Sequence, residues 1–438
     1  MNFINEKGDM PIVGFYGPLK IEYESKKGWK APDYLTDSYF EMIRDAGINL
    51  INYTQMDYAK EPAAVRKALL LAEKYQIGMY VADSGLRGNM SHEELRNRMS
   101  EYSHYHSFKG IHVVDEPGSP HFGPKDRLLS DFYEIMQKLG AFDDVVANVN
   151  LFALHPDWIG VDDNTVWLDR AHYEAYVEEY CKNCRPKMLS ADYYIFDAYT
   201  VATSRDYFEN LEILNHYAQK YQIPFWMYIQ LGGQWNDSLK EKETLDYYPQ
   251  PNEVIWNVNT SLACGAKGIA YFPLLQPYYF AFAPDGEMDF ERNGLIKANG
   301  EKSQWYACTK KANEQIQAVG NVLMQMTLKQ MVAKGYYAEQ NLPRATDSYG
   351  SLKMMEPEDS SNQYGVLAGC FESGTQEAFY VVNNDVKEAQ SVRLKFDNAY
   401  EMELLSSECH EIVCAKECRV SLEPGAGILI ILKEKQYS

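Results

Sequence analysis

The sequence predicts an α/β fold: a closed parallel (β/α)8 (TIM) barrel followed by a C-terminal antiparallel β-sandwich. Three observations carry that expectation. Between Pro11 and Leu323, eight short apolar runs alternate with eight amphipathic runs, a rhythm that favours a ring of parallel strands over an open sheet. The 438-residue length exceeds the roughly 250 residues that a barrel commonly takes, which leaves room for one smaller domain. From about Gln330 the texture changes to apolar–polar alternation broken by turn residues, as antiparallel strands require. The expected division is residues 1–329 for the barrel and 330–438 for the sandwich.

The elements follow in order. Pro11 to Pro18 is a short apolar run bracketed by prolines, and the amphipathic segment Asp33 to Ala46 follows it. Gly47 stops that helix, and Ile48 to Tyr53 is the second strand. Pro62 sits in the first turn of the next helix, where its missing N–H is harmless, and Ile77 to Ala82 is the third strand. Ser91 and Glu94 form a capping-box pattern that starts a helix running to about Ser107. The fourth strand, Phe108 to Val114, ends in Asp115-Glu116-Pro117-Gly118. Helices over about Arg127 to Leu139, within Asp169 to Tyr180, Arg205 to Tyr221 and Asn252 to Cys264 then alternate with strands Val145 to Leu151, Met188 to Tyr194, Pro224 to Gln230 and Gly268 to Phe272. Gln304 to about Leu323 closes the ring. Beyond it, Ala378 to Val382, Ser391 to Phe396 and Gly427 to Leu432 read as strands, with turns at Asn383 to Asp385 and Pro424 to Gly427, while Asp347 to Gln363 reads as a loop or mobile hairpin.

The bulk composition excludes several functions. A net charge of −20 argues against nucleic acid and anionic membranes as partners, because a polyanion gains nothing by displacing counterions. No apolar stretch reaches the roughly 18 residues of a membrane span, and the polar opening Met1 to Asp9 has no signal-peptide core. The cytoplasm is the expected location, with secretion the alternative for a chain whose signal peptide has been removed. Cys181 and Cys184 form a Cys-x-x-Cys, and Cys409, Cys414 and Cys418 cluster near the end, but no second ligand pair at regular spacing suggests zinc. Reduced, largely buried thiols are the expected state, with no metal and no cofactor. His104 and His106 fall after the third helix, on the wrong side of a barrel for a metal hydrolase.

Barrel chemistry sits at the C-terminal ends of strands, so alternation alone nominates the residues to inspect. They are Tyr53, Gln55 and Asp57, then Asp83, then Asp115 and Glu116, then Asn150, followed by Asp192, Tyr193 and Tyr194, Gln230, and Tyr271 with Phe272. Two adjacent carboxylates closing a Val- and Ile-rich strand cost stability unless a site uses them. The set is rich in acids, amides and tyrosines and poor in histidine and lysine, which suits sugar chemistry: tyrosines, 34 in this chain, stack on sugar rings and bond their hydroxyls. Glycosidic bonds break through an oxocarbenium-like state that needs a proton for the departing oxygen and a negative or nucleophilic group near the anomeric carbon. Glu116 is the candidate acid, with Asp115 beside it. Trp226, Tyr228, Phe272 and Tyr278 to Phe280 are candidate stacking residues, and Trp235 and Asp237 join them in the loop after the seventh strand.

Through Ala46 to Ile51, Gly110 to Pro117 and Gly265 to Phe272, the sequence resembles the (β/α)8-barrel glycoside hydrolases over about residues 10–325, and a terminal β-domain is typical of them. In the retaining clan that includes β-galactosidases and cellulases, an Asn-Glu pair ends the fourth strand and a second Glu ends the seventh. Here the pair is Asp115-Glu116, and the seventh strand ends in Gln230, an amide that cannot form a glycosyl ester. By this resemblance Glu116 is the acid/base, whereas the nucleophile does not carry over. The Asp-Glu pair is similar to that of barrel β-N-acetylhexosaminidases that use the substrate's acetamide as nucleophile. That likeness implies Asp115 as the orienting carboxylate and Tyr194 or Tyr228 as the supporting hydroxyl. A third option leaves water as nucleophile and Asp192 as general base in an inverting geometry. The expected function is hydrolysis of O-glycosidic bonds, with catalytic Glu116, Asp115 and Asp192 and a sugar subsite drawn from Tyr53, Asn150, Tyr194, Trp226, Tyr228, Gln230 and Tyr271. The alternative is a barrel that binds carbohydrate without turnover.

Overall fold

The computed structural model describes residues 8–117, 132–154, 169–196, 205–233, 247–277 and 289–433, with the backbone alone at Tyr53 and Thr54. Strand and helix alternate as β1 Ile12–Phe15, α1 Asp37–Asp45, β2 Leu50–Asp57, α2 Pro62–Lys74, β3 Gly78–Ala82, α3 His92–Met99, β4 Phe108–Asp115 and α4 Phe132–Gly140. The second half continues with β5 Val146–Asn150, α5 Arg170–Cys184, β6 Leu189–Asp192, α6 Arg205–Tyr221, β7 Phe225–Gln230, α7 Pro251–Ala263, β8 Ile269–Phe272 and α8 Tyr306–Leu323. All the ladders among these strands are parallel, in the order β5-β4-β3-β2-β1-β8-β7-β6. A single bridge, Leu151 to Ala191, brings β5 to β6 and nearly closes the ring.

Local chemistry sets the helix ends. Ser91 accepts from the Glu94 amide while Glu94 reaches back to the Ser91 amide, so α3 starts as the capping pattern predicts. It ends at Met99, earlier than the expected Ser107, because the chain breaks into successive turns before β4. Prolines occupy the first turns of α2 and α7, and Asp169 caps α5 through the His172 amide.

Inside the ring, Val13, Phe15, Leu50, Tyr80, Val146, Met188, Trp226, Tyr228 and Ala270 form one apolar plug, so the barrel interior is filled rather than hollow. A much larger core, including Ile51, Val81, Ile111, Met227 and Ile269, lies between strands and helices. This inside–outside alternation positions the site, since paired residues in a parallel ladder face the same side.

The C-terminal strands are β9 Thr327–Lys334, β10 Leu352–Pro357, β11 Val366–Ser373, β12 Gln376–Asn383, β13 Gln390–Leu405, β14 His410–Leu422 and β15 Gly427–Lys433, with a short helix α9 at Tyr336–Asn341. They form one antiparallel sheet, β10-β13-β15-β12-β11-β9, with β14 along the other edge of β13. β13 pairs β10 near its start and β15 near its end, with a register shift between Lys395 and Tyr400. The two layers of the sandwich are therefore halves of a single curled sheet around a core that includes Val366, Phe379, Leu394 and Phe396. The stretch 347–363, read from sequence as a loop or mobile hairpin, contains β10, whose Met355 and Leu352 are buried in that core. Polar ties dock the sheet on the barrel's outer helices: Trp256 donates to Asn384 at 2.9 Å, and Tyr380 donates to Asn259 at 2.6 Å. No described helix is long and apolar enough to cross a membrane.

Candidate active site

His112 of β4 lies level with Asn148 of β5, and Asp115 lies level with Asn150. The two β4 positions are three residues apart and their β5 partners only two, because the register shifts at Val113. This bulge is what turns Asp115 inward. Without it, strict alternation would send Asp115 outward whenever His112 faces in. Val113 and Val114 instead pack against the core between strands and helices. Glu116 follows with φ of 46°, a left-handed conformation rare for a residue with a Cβ, and its amide donates to the Asn150 carbonyl at 2.8 Å.

On β6, Asp192 pairs level with Tyr228 of β7 and so faces inward with it. Asp192 is 6% exposed, and burial, then the charges of Glu116 and Asp115, push its carboxyl well above the usual carboxylate range. A hydrogen bond from the Tyr194 hydroxyl opposes that shift. Asp115, Glu116 and Asp192 thus act on one another at one end of the barrel, where burial raises the Tyr194 and Tyr228 hydroxyls and the same carboxylates add to the effect.

Beneath the acids runs a polar floor. Asn52 Nδ2 donates to Asn148 Oδ1 at 2.7 Å and to the Tyr228 hydroxyl at 3.3 Å, and His112 Nδ1 lies 3.1 Å from the same Asn148 oxygen. Burial lowers the His112 pKa to about 4, against the pull of the Asn148 bond, so the ring is neutral with its proton on Nδ1. Among the described residues, Asn52 Oδ1 and Asp192 Oδ1 are buried and lack a hydrogen-bond partner. Phe15, Tyr16, Tyr194 and Phe272 supply rings beside this floor: Tyr16 and Tyr194 lie 5.4 and 5.6 Å from Phe272, centre to centre.

Other nominated residues have different surroundings. Trp226 is level with Ser190 and Gly268, deeper in the barrel, stacked 6.3 Å from Tyr80 and 1% exposed, so it plugs the interior and offers no face at the rim. Tyr271 points outward: its hydroxyl donates to Asn313 of α8 at 2.6 Å, in the layer between strands and helices. Gln230 faces in, yet its amide is committed to backbone, donating to the carbonyls of Phe196 and Gly232, both at 2.9 Å, and accepting from the Phe196 amide at 3.0 Å. Asn150 is held by Ser190, which donates to its side chain at 3.1 Å. Asp83 is bound by Arg98 through two bonds of 2.9 and 3.0 Å and by Tyr102, and Asp57 by Ser84, so both fasten loops. The side chain of Tyr53 and residues 235, 237 and 278–280 lie outside the described residues.

Sequence alternation did not nominate Asn52, His112, Asn148 or Tyr16. The first three sit one layer below the strand ends, and their signal was polarity in the middle of otherwise apolar strands. No group of three or more His, Cys, Asp or Glu among the described residues is arranged to hold a metal, and the eight cysteines are free thiols.

No family model matches the chain, and no curated protein does. Solved structures do. A β-galactosidase from Bacillus circulans sp. alkalophilus aligns at TM-score 0.59 and 9% identity, covering 98% of this chain and 100% of that one. A GH42 β-galactosidase from G. stearothermophilus aligns at 0.56 and 9%, covering 99% of each chain. The cold-adapted β-galactosidase of Rahnella sp. R3 aligns at 0.51 and 9%, covering 98% and 99%. The shared feature is the fold, an eight-stranded parallel barrel followed by further domain structure over the whole length.

Proposed function

We propose that this chain is a glycoside hydrolase, with Glu116 as acid/base and Asp115 as its assisting carboxylate. The convergence of three carboxyls from β4 and β6 at the C-terminal end of the barrel carries this reading. Three close acids cannot all ionise. Asp192 is the buried member with two acidic neighbours, and burial followed by their charges pushes its carboxyl upward. That direction weighs against Asp192 as the ionised base of an inverting route. β7 supplies no carboxylate either, since Gln230 occupies that position and is bonded to backbone.

What remains is a route in which the substrate brings its own nucleophile. Glu116 would protonate the departing oxygen while an acetamide carbonyl of the sugar closes onto the anomeric carbon. Asp115 would orient the acetamide N–H and offset the positive charge, with Tyr194 and Tyr228 supplying hydroxyls. Water, deprotonated by Glu116, would then open the ring with net retention.

A panel of nitrophenyl glycosides that includes the N-acetyl-β-glucosaminide and the β-galactoside tests this. Turnover with a retained product anomer is expected, and Glu116→Gln should lower it by about 10²-fold or more. Near-normal hydrolysis by that variant would reject the assignment. Gln230 also favours a second reading, a barrel that binds sugar without cleaving it. Thermal stabilisation by a sugar with no turnover of any glycoside would select that reading.

A further inference from the structure

We infer that Tyr176, on the outer helix α5, is a positioning residue that holds Glu116 in its working geometry. The inference rests on the reading of Glu116 as the acid. Glu116 has φ of 46° and precedes Pro117. A left-handed backbone at a residue with a Cβ is costly, and a following proline pushes its predecessor towards extended conformations instead. Such a conformation persists only where the surroundings over-determine it.

Two anchors do so here. Upstream, the Glu116 amide donates to the Asn150 carbonyl at 2.8 Å. Downstream, the Tyr176 hydroxyl donates to the Pro117 carbonyl at 2.7 Å and accepts from the Phe152 amide at 3.4 Å. Tyr176 is 3% exposed and its ring packs 6.3 Å from both Phe152 and Tyr173, so the hydroxyl has little freedom to move. One phenol therefore ties the chain leaving β4 to the chain leaving β5, with the strained residue between its two fixed points. Its hydroxyl also feels the charges of Glu116 and Asp192. Its effect is on where the Glu116 carboxyl sits, and displacement of a catalytic group by about 1 Å costs about 10²-fold in rate.

Tyr176→Phe removes the hydroxyl and keeps the ring. Tyr173→Phe is the matched control, since the Tyr173 hydroxyl is buried one turn away and has no hydrogen-bond partner among the described residues. On whichever nitrophenyl glycoside the wild type hydrolyses, Tyr176→Phe should lower kcat by about 10- to 100-fold with KM within about twofold, while Tyr173→Phe matches wild type. A crystal structure of Tyr176→Phe should show Glu116 departed from positive φ. If Glu116→Gln is inactive while Tyr176→Phe keeps wild-type kcat, the positioning role is overturned and the glycosidase reading stands. If the wild type hydrolyses no glycoside, that reading fails, and an unchanged Glu116 turn in the crystal structure of Tyr176→Phe overturns the positioning role independently.

Discussion

Gln230→Glu is the substitution that a covalent retaining mechanism would suggest, because it places a carboxylate at the end of β7. The geometry argues that it damages the protein instead. Gln230 is 4% exposed, and its Nε2 donates to two carbonyl oxygens, those of Phe196 and Gly232, each at 2.9 Å. An ionised glutamate has no donor, so both bonds vanish, at about 1 kcal/mol each, and a buried charge faces two acceptors, adding about 1–3 kcal/mol. Protonated, the introduced carboxyl recovers one bond and the loss falls to about 1–2 kcal/mol.

Its folded pKa must therefore be raised above the unfolded value of about 4.3, so the extra penalty is absent below that value and grows as pH rises through the folded pKa. Urea unfolding of variant and wild type at about pH 5 and about pH 8 reads this directly, with the larger gap at the higher pH. Hydrolysis of the nitrophenyl β-galactoside should not increase. Equal stability at the higher pH, or a gain in turnover with a trapped glycosyl-enzyme, would refute the reasoning.

Asp192→Asn mimics the neutral acid. Burial and then Glu116 and Asp115 raise the Asp192 pKa, so its stabilising contribution is complete below the ordinary carboxylate range and is lost as pH rises through the folded value. The non-titrating asparagine should thus gain stability relative to wild type as pH increases, measured by calorimetry across a pH series, and should keep turnover within about tenfold. A loss of about 10³-fold would restore Asp192 as the base. Tyr271→Phe should cost about 1–2 kcal/mol in urea unfolding, because the buried Asn313 Oδ1 loses its 2.6 Å donor, and should leave kcat and KM unchanged. A raised KM would return Tyr271 to the subsite.

The barrel was legible because its strands are short apolar blocks separated by capped helices, and each block maps to one strand with ends shifted by a few residues. The position of the acids was legible for the same reason: the end of β4 is where Val and Ile give way to Asp115 and Glu116. Which way they face was not. Inward aim of Asp115 depends on the extra residue at Val113, and no propensity marks one valine of a Val-Val pair as a bulge. Trp226 was nominated as a stacking residue and Tyr271 as a subsite residue by their place on inner strands, but depth along β7 buries the one and parity along β8 turns the other outward. Tyr176 was invisible to a strand-end search, since it belongs to an outer helix and reaches the site through a backbone carbonyl. The C-terminal unit was readable as alternating strands, whereas β10 hid in a polar stretch because only one of its faces is buried.

The thin seam between β5 and β6 has a bearing on how far apart the acids stand. Elsewhere around the ring, ladders several residues long fix how neighbouring strands stand to one another, but β5 meets β6 across one bridge. The gap separating Glu116 from Asp192 is consequently governed by side chains, through the Ser190–Asn150 bond, the Gln230 grip on Phe196 and the Tyr176 tether, more than by sheet register. In a barrel of this kind the spacing of the carboxyls lies within reach of single substitutions that leave every strand in place.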